Sequence, residues 1–221
     1  MSIIKILFFS VTFFTFSSVF AQTTQPAFYD EIMAFKKQDS LNPPPKGAIL
    51  FVGSSSFTKW KNVQNMFPAY TIINRGFGGS SLPDVIHYAD DVIFPYQPKQ
   101  IVIYCGENDV ASGNVDSKLV SERFKTLFDL IRSKMPGVPI IFISMKPSPS
   151  REKFAPIVVQ GNQIIKNFLW TQSNVIYLDV YKLMLDANGK ARPELFLEDM
   201  LHMNQEGYKI WQQALLPYLK R

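Results

Sequence analysis

The sequence predicts one three-layer α/β domain, in which helices cover both faces of a parallel β-sheet. Short apolar runs alternate with helical patterns along the chain, as they do when helices connect parallel strands. The runs are apolar at consecutive positions, which is typical of strands buried on both faces. With 221 residues, 47% of them hydrophobic, the chain can bury one core but is too short for two ordinary domains.

Five apolar runs are the predicted strands. Each is short, rich in Ile, Val, Phe or Tyr, and bounded by Gly, Pro, Asn or Asp. In chain order they are Ala48–Val52, Thr71–Asn74, Ile101–Cys105, Pro139–Ser144 and Val175–Asp179.

Four amphipathic stretches are the predicted helices. The first, Tyr29–Lys37, is followed by polar residues and then by a run of three prolines, which ends it. Apolar residues at helical spacing predict a second helix from about Asp116 to Lys134 and a third around Ile157–Leu169. The last predicted helix covers Asn204–Leu219. The domain is expected to span residues 26–221.

Residues 1–21 are predicted to be a signal peptide rather than part of this domain. Lys5 supplies a short positively charged N-terminal region, and Ile6–Phe20 is nearly all apolar. Ala21 places a small residue at the position where a signal peptidase would cleave. Cleavage there would leave an exported protein, periplasmic or secreted, with no stable membrane insertion. Retention as an N-terminal anchor is the alternative, although a spanning helix needs about 20 apolar residues.

The net charge and the cysteine and histidine content argue against nucleic-acid binding and against a metal site. The formal net charge of +5 falls to +4 when Lys5 is removed with the leader, and no Lys/Arg cluster of the kind that binds nucleic acid is present. The single cysteine, Cys105, ends an apolar run and is expected to be buried and inert. With two histidines and no paired thiols, the sequence favours neither a zinc site nor any other metal or cofactor.

Ligands of parallel α/β sheets bind beyond the carboxyl ends of the strands, and the sequence carries its polar clusters there. Three familiar motifs are absent from these clusters. Ser81 stands where a dinucleotide-binding fingerprint has its third glycine, and Phe57 stands where a Gly-x-Ser-x-Gly nucleophile elbow has its last glycine. The glycine–lysine pattern of a phosphate-binding loop does not occur. The four clusters are Gly53-Ser54-Ser55-Ser56, residues 74–80, Gly106-Glu107-Asn108-Asp109 and Asp199-Met200-Leu201-His202.

These clusters favour acyl transfer by an activated serine. A serine hydroxyl needs a base, and the base needs a group that orients it. Asp199 lies three residues before His202, so a turn can place its carboxylate against Nδ1 and leave Nε2 for Ser55. The backbone N–H of Gly79 and the side-chain amide of Asn108 could stabilise negative charge on the acyl oxygen.

In this order and spacing, the clusters resemble the four sequence blocks of the SGNH hydrolase superfamily, also called GDSL esterases. The match runs from Ala48 to Tyr208. The resemblance implies a flavodoxin-like sandwich with a central five-stranded parallel sheet. It also implies roles for the site residues. Ser55 is the nucleophile, His202 is the general base and acid, and Asp199 orients His202. The backbone N–H groups of Ser55 and Gly79 and the side-chain amide of Asn108 form the oxyanion hole.

Two residues depart from the family pattern, because Ser54 and Ser80 stand where aspartates are usual. The departures imply altered loop hydrogen bonding rather than a lost triad, and a subgroup whose substrate cannot be copied from the best-known lipases. Asp179, at the end of the fifth predicted strand, is a weaker alternative orienter, and His87 is expected to be a surface helix residue. Four charged residues are candidates for a substrate wall or for pinning the loops: Arg75, Glu107, Lys146 and Arg151.

The predicted function is that of an exported serine ester hydrolase that forms an acyl-serine intermediate, with small acyl esters of carbohydrate, such as acetyl esters, as the expected substrates. Other small-molecule esters remain open. The alternatives are a lysophospholipase or thioesterase-like acyl hydrolase, and a catalytically silent carbohydrate-binding envelope protein. A nucleotide-binding module of the same fold is a more distant alternative, since the phosphate-loop glycines are missing.

Overall fold

The sheet has five parallel strands, as predicted. The computed structural model describes residues 25–221, so the predicted signal peptide lies outside the described residues. The spatial order is β2-β1-β3-β4-β5, and all four pairings are parallel. The strands are β1 (Ile49–Gly53), β2 (Ile72–Gly76), β3 (Gln100–Tyr104), β4 (Ile140–Ile143) and β5 (Val175–Leu178).

Helices lie on both faces of this sheet. The four predicted helices are present, and short helices that the sequence analysis did not identify follow several strands. In chain order the α-helices of the described residues are α1 (Tyr29–Leu41), α2 (Ser55–Thr58), α3 (Val63–Met66), α4 (Leu82–His87), α5 (Ala89–Val92), α6 (Glu107–Ala111), α7 (Ser117–Lys134), α8 (Ala155–Trp170) and α9 (Gln205–Leu215). None of these helices is long and apolar enough to cross a membrane.

Two helix ends differ from the prediction. Helix α1 continues one turn beyond Lys37, and one of the polar residues expected to end it, Asp39, is ion-paired to Arg75 of β2. Helix α9 is shorter than predicted and gives way to the 3₁₀ turn Leu216–Tyr218. Pro217 has no N–H to continue the α-helical bonds, so the helix tightens at that point.

The strands separate two apolar cores, which explains their unbroken hydrophobicity. Leu50 and Val52 of β1 face the core that contains side chains of α1, α4, α5, α7 and α8. Ile49 and Phe51 face the second core, which contains side chains of α2, α3 and α9. Successive residues of one strand are therefore both buried.

The second core contains an aromatic platform beneath α2, made of Phe57, Trp60, Tyr104, Tyr208 and Trp211. Trp60 stacks on Tyr208 with ring centroids 4.8 Å apart, and Tyr104 meets Trp211 edge-on at 4.7 Å. The Tyr208 hydroxyl donates to the Ser56 carbonyl oxygen at 2.8 Å. The platform thus supports the turn that follows β1.

The chain leaves β1 through a glycine that no other residue can replace without a shift of the backbone. Gly53 has φ 141°, and a Cβ there would lie 1.9 Å from the Tyr104 carbonyl oxygen of the neighbouring strand. This close approach carries the chain directly into α2 at the carboxyl edge of the sheet.

Candidate active site

Ser55, His202 and Asp199 form one hydrogen-bonded chain. Ser55 opens α2, while the other two lie on the loop before α9. His202 Nε2 is 3.0 Å from Ser55 Oγ, and His202 Nδ1 is 2.6 Å from Asp199 Oδ2. This is the arrangement of a nucleophile, its base and the group that orients the base. The structure places Asp179 elsewhere, since it interacts with Lys182.

The Asp199 carboxylate is bonded on both oxygens. Oδ1 accepts the backbone N–H groups of Leu201 at 3.0 Å and His202 at 2.9 Å. Desolvation alone would raise the pKa of Asp199, but the hydrogen bonds from the His202 ring and from these amides outweigh it and hold the pKa well below its usual range. A charged Asp199 keeps the ring proton on Nδ1, which leaves Nε2 free to accept the serine proton.

The loop that carries Asp199 and His202 contains a backbone conformation rare for residues other than glycine. Met200 has φ 52°. Its carbonyl oxygen accepts the N–H of Ser150 at 3.1 Å and the Ser150 hydroxyl at 2.9 Å. The loop after β4 therefore braces the turn that joins Asp199 to His202.

Three hydrogen-bond donors at the carboxyl edge of the sheet are available for an oxyanion. Within residues 25–221, the backbone N–H groups of Ser55 and Gly79 have no hydrogen-bond acceptor. The Asn108 amide nitrogen donates to the Ser80 carbonyl oxygen at 2.9 Å, which uses one of its two hydrogens. Gly79 has φ 74°, a conformation that glycine adopts without strain.

The two serines that replace the usual aspartates are both buried. The Ser80 hydroxyl donates to the Gly53 carbonyl oxygen at 3.1 Å, so it ties the glycine-rich loop to the turn after β1. Ser54 precedes α2 and makes no side-chain capping bond. Asp109 adds a further tie, because it accepts the Leu82 N–H at 2.9 Å and pairs with Arg123 at 2.8 Å.

One residue that the sequence did not reveal binds the glycine-rich loop before Gly79. Glu31 of α1 accepts the N–H of Gly78 at 3.0 Å, directly before Gly79. An acidic residue in the first turn of a helix is common, so the sequence offered no signal for this contact.

Three of the four candidate substrate-wall residues are buried in ion pairs, and the structure therefore assigns them to pinning the loops. The Arg75 guanidinium binds Asp39 and donates to the Tyr96 hydroxyl at 2.6 Å, which joins β2 to α1. Lys146 Nζ lies 2.9 Å from the Glu107 carboxylate, and both side chains are almost fully enclosed. These three side chains expose 8% or less of their surface, which leaves little of each for a substrate to contact.

Arg151 differs from these three because its side chain is 21% exposed. Its guanidinium lies 3.2 Å from Glu107 and donates to the Asn108 side-chain oxygen at 2.9 Å. Burial would raise the pKa of Glu107, but Lys146 and Arg151 outweigh burial and lower it. The carboxylate is thus held charged between two cations.

Cys105 and His87 stand apart from the triad, although the Cys105 thiol donates to the Ser80 carbonyl oxygen at 3.6 Å. Cys105 is buried, and burial raises the pKa of its thiol well above the usual value. His87 ends α4, is exposed, and packs against the Tyr88 ring at 4.6 Å. Among residues 25–221, no group of three His, Cys, Asp or Glu side chains could hold a metal ion.

The chain is similar to known hydrolases. The model of the GDSL-like lipase/acylhydrolase family matches residues 48–210. A multidomain esterase of Ruminococcus flavefaciens is 27% identical over 195 residues, which cover 82% of this chain and 24% of that protein. The chain therefore spans about a quarter of the length of this relative.

Solved structures share the fold at lower identity. A protein of Streptococcus pneumonia described as a putative platelet activating factor has a TM-score of 0.75 at 20% identity, over 86% of this chain and 92% of that one. A variant of an acetyl-xylooligosaccharide esterase from Geobacillus stearmophilus has a TM-score of 0.63 at 15% identity, over 78% of this chain and 94% of that one.

Proposed function

This chain belongs to the GDSL-like lipase/acylhydrolase family, and we propose that it hydrolyses carboxylic esters through an acyl-serine intermediate. The observation that carries the proposal is the bonded chain from Ser55 through His202 to Asp199, with distances of 3.0 and 2.6 Å. In such a chain the base removes the serine proton as the hydroxyl attacks a carbonyl carbon.

The reaction would proceed in two halves. Ser55 Oγ attacks the acyl carbon while His202 Nε2 takes the proton, and the negative charge on the carbonyl oxygen is met by the N–H groups of Ser55 and Gly79 and by the Asn108 amide. The tetrahedral intermediate then expels the alcohol, which receives the proton from His202. Water, deprotonated by the same nitrogen, attacks the acyl-serine; the second tetrahedral intermediate then releases the carboxylic acid as His202 returns the proton to Ser55 Oγ.

For the substrate, we propose small acyl esters of carbohydrate, acetyl esters above all. The supporting observations are the open position of the triad, in which Asp199 is 47% exposed, and the similarity to an acetyl-xylooligosaccharide esterase and to a multidomain esterase. An open site admits esters carried on a long chain. Export through cleavage near Ala21 belongs to the same proposal, because polymeric carbohydrate esters lie outside the cell membrane.

A longer acyl chain is the second candidate, and one observation favours it. Leu197 and Met200 flank His202 with 44% and 39% of their surface exposed. Apolar side chains at the rim of a site could pack against a lysophospholipid or acyl thioester chain. The catalytically silent carbohydrate-binding protein is disfavoured by the intact bonded triad.

Ester hydrolysis by residues 22–221 tests the proposal. Ser55→Ala should lower kcat by about 10⁴- to 10⁶-fold, because the nucleophile is lost. Ser56→Ala, which changes the neighbouring serine, is the matched control and should keep most of the activity. Retention of activity in Ser55→Ala would refute the assignment.

Acyl chain length separates the two substrate classes. Rates on aryl esters from acetyl to dodecanoyl, together with acetic acid release from acetylated xylo-oligosaccharides, give the profile. An acetyl optimum supports carbohydrate acetyl esters, whereas an optimum at eight or more carbons supports the second candidate.

A further inference from the structure

The orientation of the Asn108 amide is fixed by two contacts of opposite polarity. Its nitrogen donates to the Ser80 carbonyl oxygen at 2.9 Å, and its oxygen accepts from Arg151 Nη2 at 2.9 Å. Rotating the amide by half a turn would set oxygen against oxygen and the amide hydrogens against the guanidinium hydrogens. The two contacts therefore also decide where the second amide hydrogen is directed.

The guanidinium that contacts Asn108 is itself held in place. Arg151 Nη1 lies 3.2 Å from Glu107 Oε1, and Glu107 is anchored by Lys146 at 2.9 Å and by the Tyr104 hydroxyl. Glu107 and Lys146 are almost fully enclosed, so this support is shielded from solvent. Arg151 thus reaches Asn108 from a rigid base rather than from a free surface loop.

The local charge also favours a stronger amide donor. Two cations, Lys146 and Arg151, bind the single carboxylate of Glu107, and Arg151 also contacts the Asn108 side-chain oxygen. A cation on the amide oxygen draws electron density from the amide nitrogen and makes its N–H a better donor. That effect is largest when negative charge develops on the acyl oxygen.

We propose that Arg151 is a positioning residue of the oxyanion hole, which sets the direction and donor strength of the Asn108 amide without touching the substrate. Arg151 comes from the turn after β4, 43 residues beyond Asn108 and outside the four sequence clusters. The inference rests on the proposed ester hydrolysis. It replaces the expectation that Arg151 lines a substrate wall.

A double-mutant cycle tests this role, with Arg151→Met, Asn108→Ala and the double variant assayed on an aryl acetate. Loss of an oxyanion donor costs about 10²- to 10³-fold in kcat, the effect expected of Asn108→Ala. Arg151→Met should lower kcat by about 10- to 100-fold, with KM changed less than about twofold, since the donor is weakened rather than removed. Once Asn108 is alanine, Arg151→Met should cost less than about twofold, because no amide remains to be positioned.

Two results would overturn the inference. An equal loss of kcat in both backgrounds would show that Arg151 acts independently of Asn108, and a rise in KM alone would show that it binds substrate. Arg192→Met is the matched control, because Arg192 pairs with the exposed Glu194 at 2.8 Å and should leave kcat unchanged. Arg151→Lys keeps one donor and should recover part of the loss; it replaces Arg151→Met in the cycle if the latter does not fold.

The rate of Ser55 labelling by a fluorophosphonate separates this inference from the proposed function. Labelling also develops negative charge on an oxygen beside the serine, but it needs no natural ester. If wild-type protein is labelled yet cleaves none of the esters, the proposed function fails. The double-mutant cycle of Arg151 and Asn108 is then measured as rates of labelling instead of rates of ester hydrolysis. If wild-type protein cleaves esters and Arg151→Met equals it in both assays, the inference alone fails.

Discussion

The two sides of the active site are supported in different ways. Ser55 stands on a short helix that rests on the aromatic platform, where Trp60 stacks against Tyr208. Asn108 is supported by a charged cluster, in which Lys146 and Arg151 bind the buried carboxylate of Glu107. Apolar packing is non-directional and tolerates volume-conserving changes, whereas a buried ion pair fails when one partner is lost. The nucleophile should therefore tolerate changes in its support better than the oxyanion donor does.

In this comparison the largest effect is expected at the loop of Asp199 and His202, which holds the base against Ser55. Asp199→Asn should lower kcat by about 10⁴-fold, because the amide can donate to Nδ1 and favour the wrong ring tautomer of His202. Steady-state kinetics on an aryl acetate give the value. Asp179→Asn, at the aspartate that contacts Lys182 instead, is the control. Comparable losses in both variants would mean that the orienter has been misassigned.

Next in size is the loss of one buried cation. Lys146→Met leaves Arg151 as the one cation of the described residues bound to Glu107 and should lower the free energy of unfolding by about 3 kcal/mol, which urea denaturation measures. Removing the carboxylate as well, in Lys146→Met with Glu107→Gln, should recover part of this loss. A single variant as stable as the wild type would show that the charged support is dispensable.

A smaller effect is expected on the aromatic side. Trp60→Phe keeps an apolar ring in the platform and should lower the free energy of unfolding by roughly 1–2 kcal/mol, with kcat within about threefold of the wild type. The same denaturation and kinetic measurements apply. A loss of unfolding free energy larger than that of Lys146→Met would reverse the ranking of the two supports.

The smallest effect is a difference in pH dependence. The folded state holds the pKa of Glu107 below its usual value, so this carboxylate adds stability above the pKa it has in the unfolded chain. That stability is lost as the pH falls toward the folded-state pKa. Melting temperatures between about pH 6 and 3 should therefore fall less steeply for Glu107→Gln than for Trp60→Phe, which retains the carboxylate. Equal slopes would show that Glu107 is not held charged.

Local sequence was enough to predict the sheet and the polar clusters at its edge. Strands such as Ile140–Ile143 are buried on both faces and read as unbroken apolar runs. The roles proposed for Ser55 and His202 come from the order and spacing of the clusters, through the family resemblance. These patterns involve residues that are close together in the sequence, so they can be recognised without knowing how the elements pack.

The supports of the site could not be predicted in this way. Glu31 meets Gly78 across 47 residues, and Arg151 meets Asn108 across 43. Each pair depends on how a helix or loop packs against the sheet, and a single charged residue in the sequence does not reveal its partner. For the same reason Arg75 and Lys146 could be read as facing a substrate until their partners were located.

The bond between Ser55 and His202 also has a consequence for when the protein becomes active. It joins residues 147 positions apart, one beside the first strand and one before the last helix. Closing so long a segment is entropically costly and is accomplished only as the intervening sheet forms. Hydrolytic competence is therefore a late event in folding, and a chain still being synthesised remains catalytically latent until its final helix has docked.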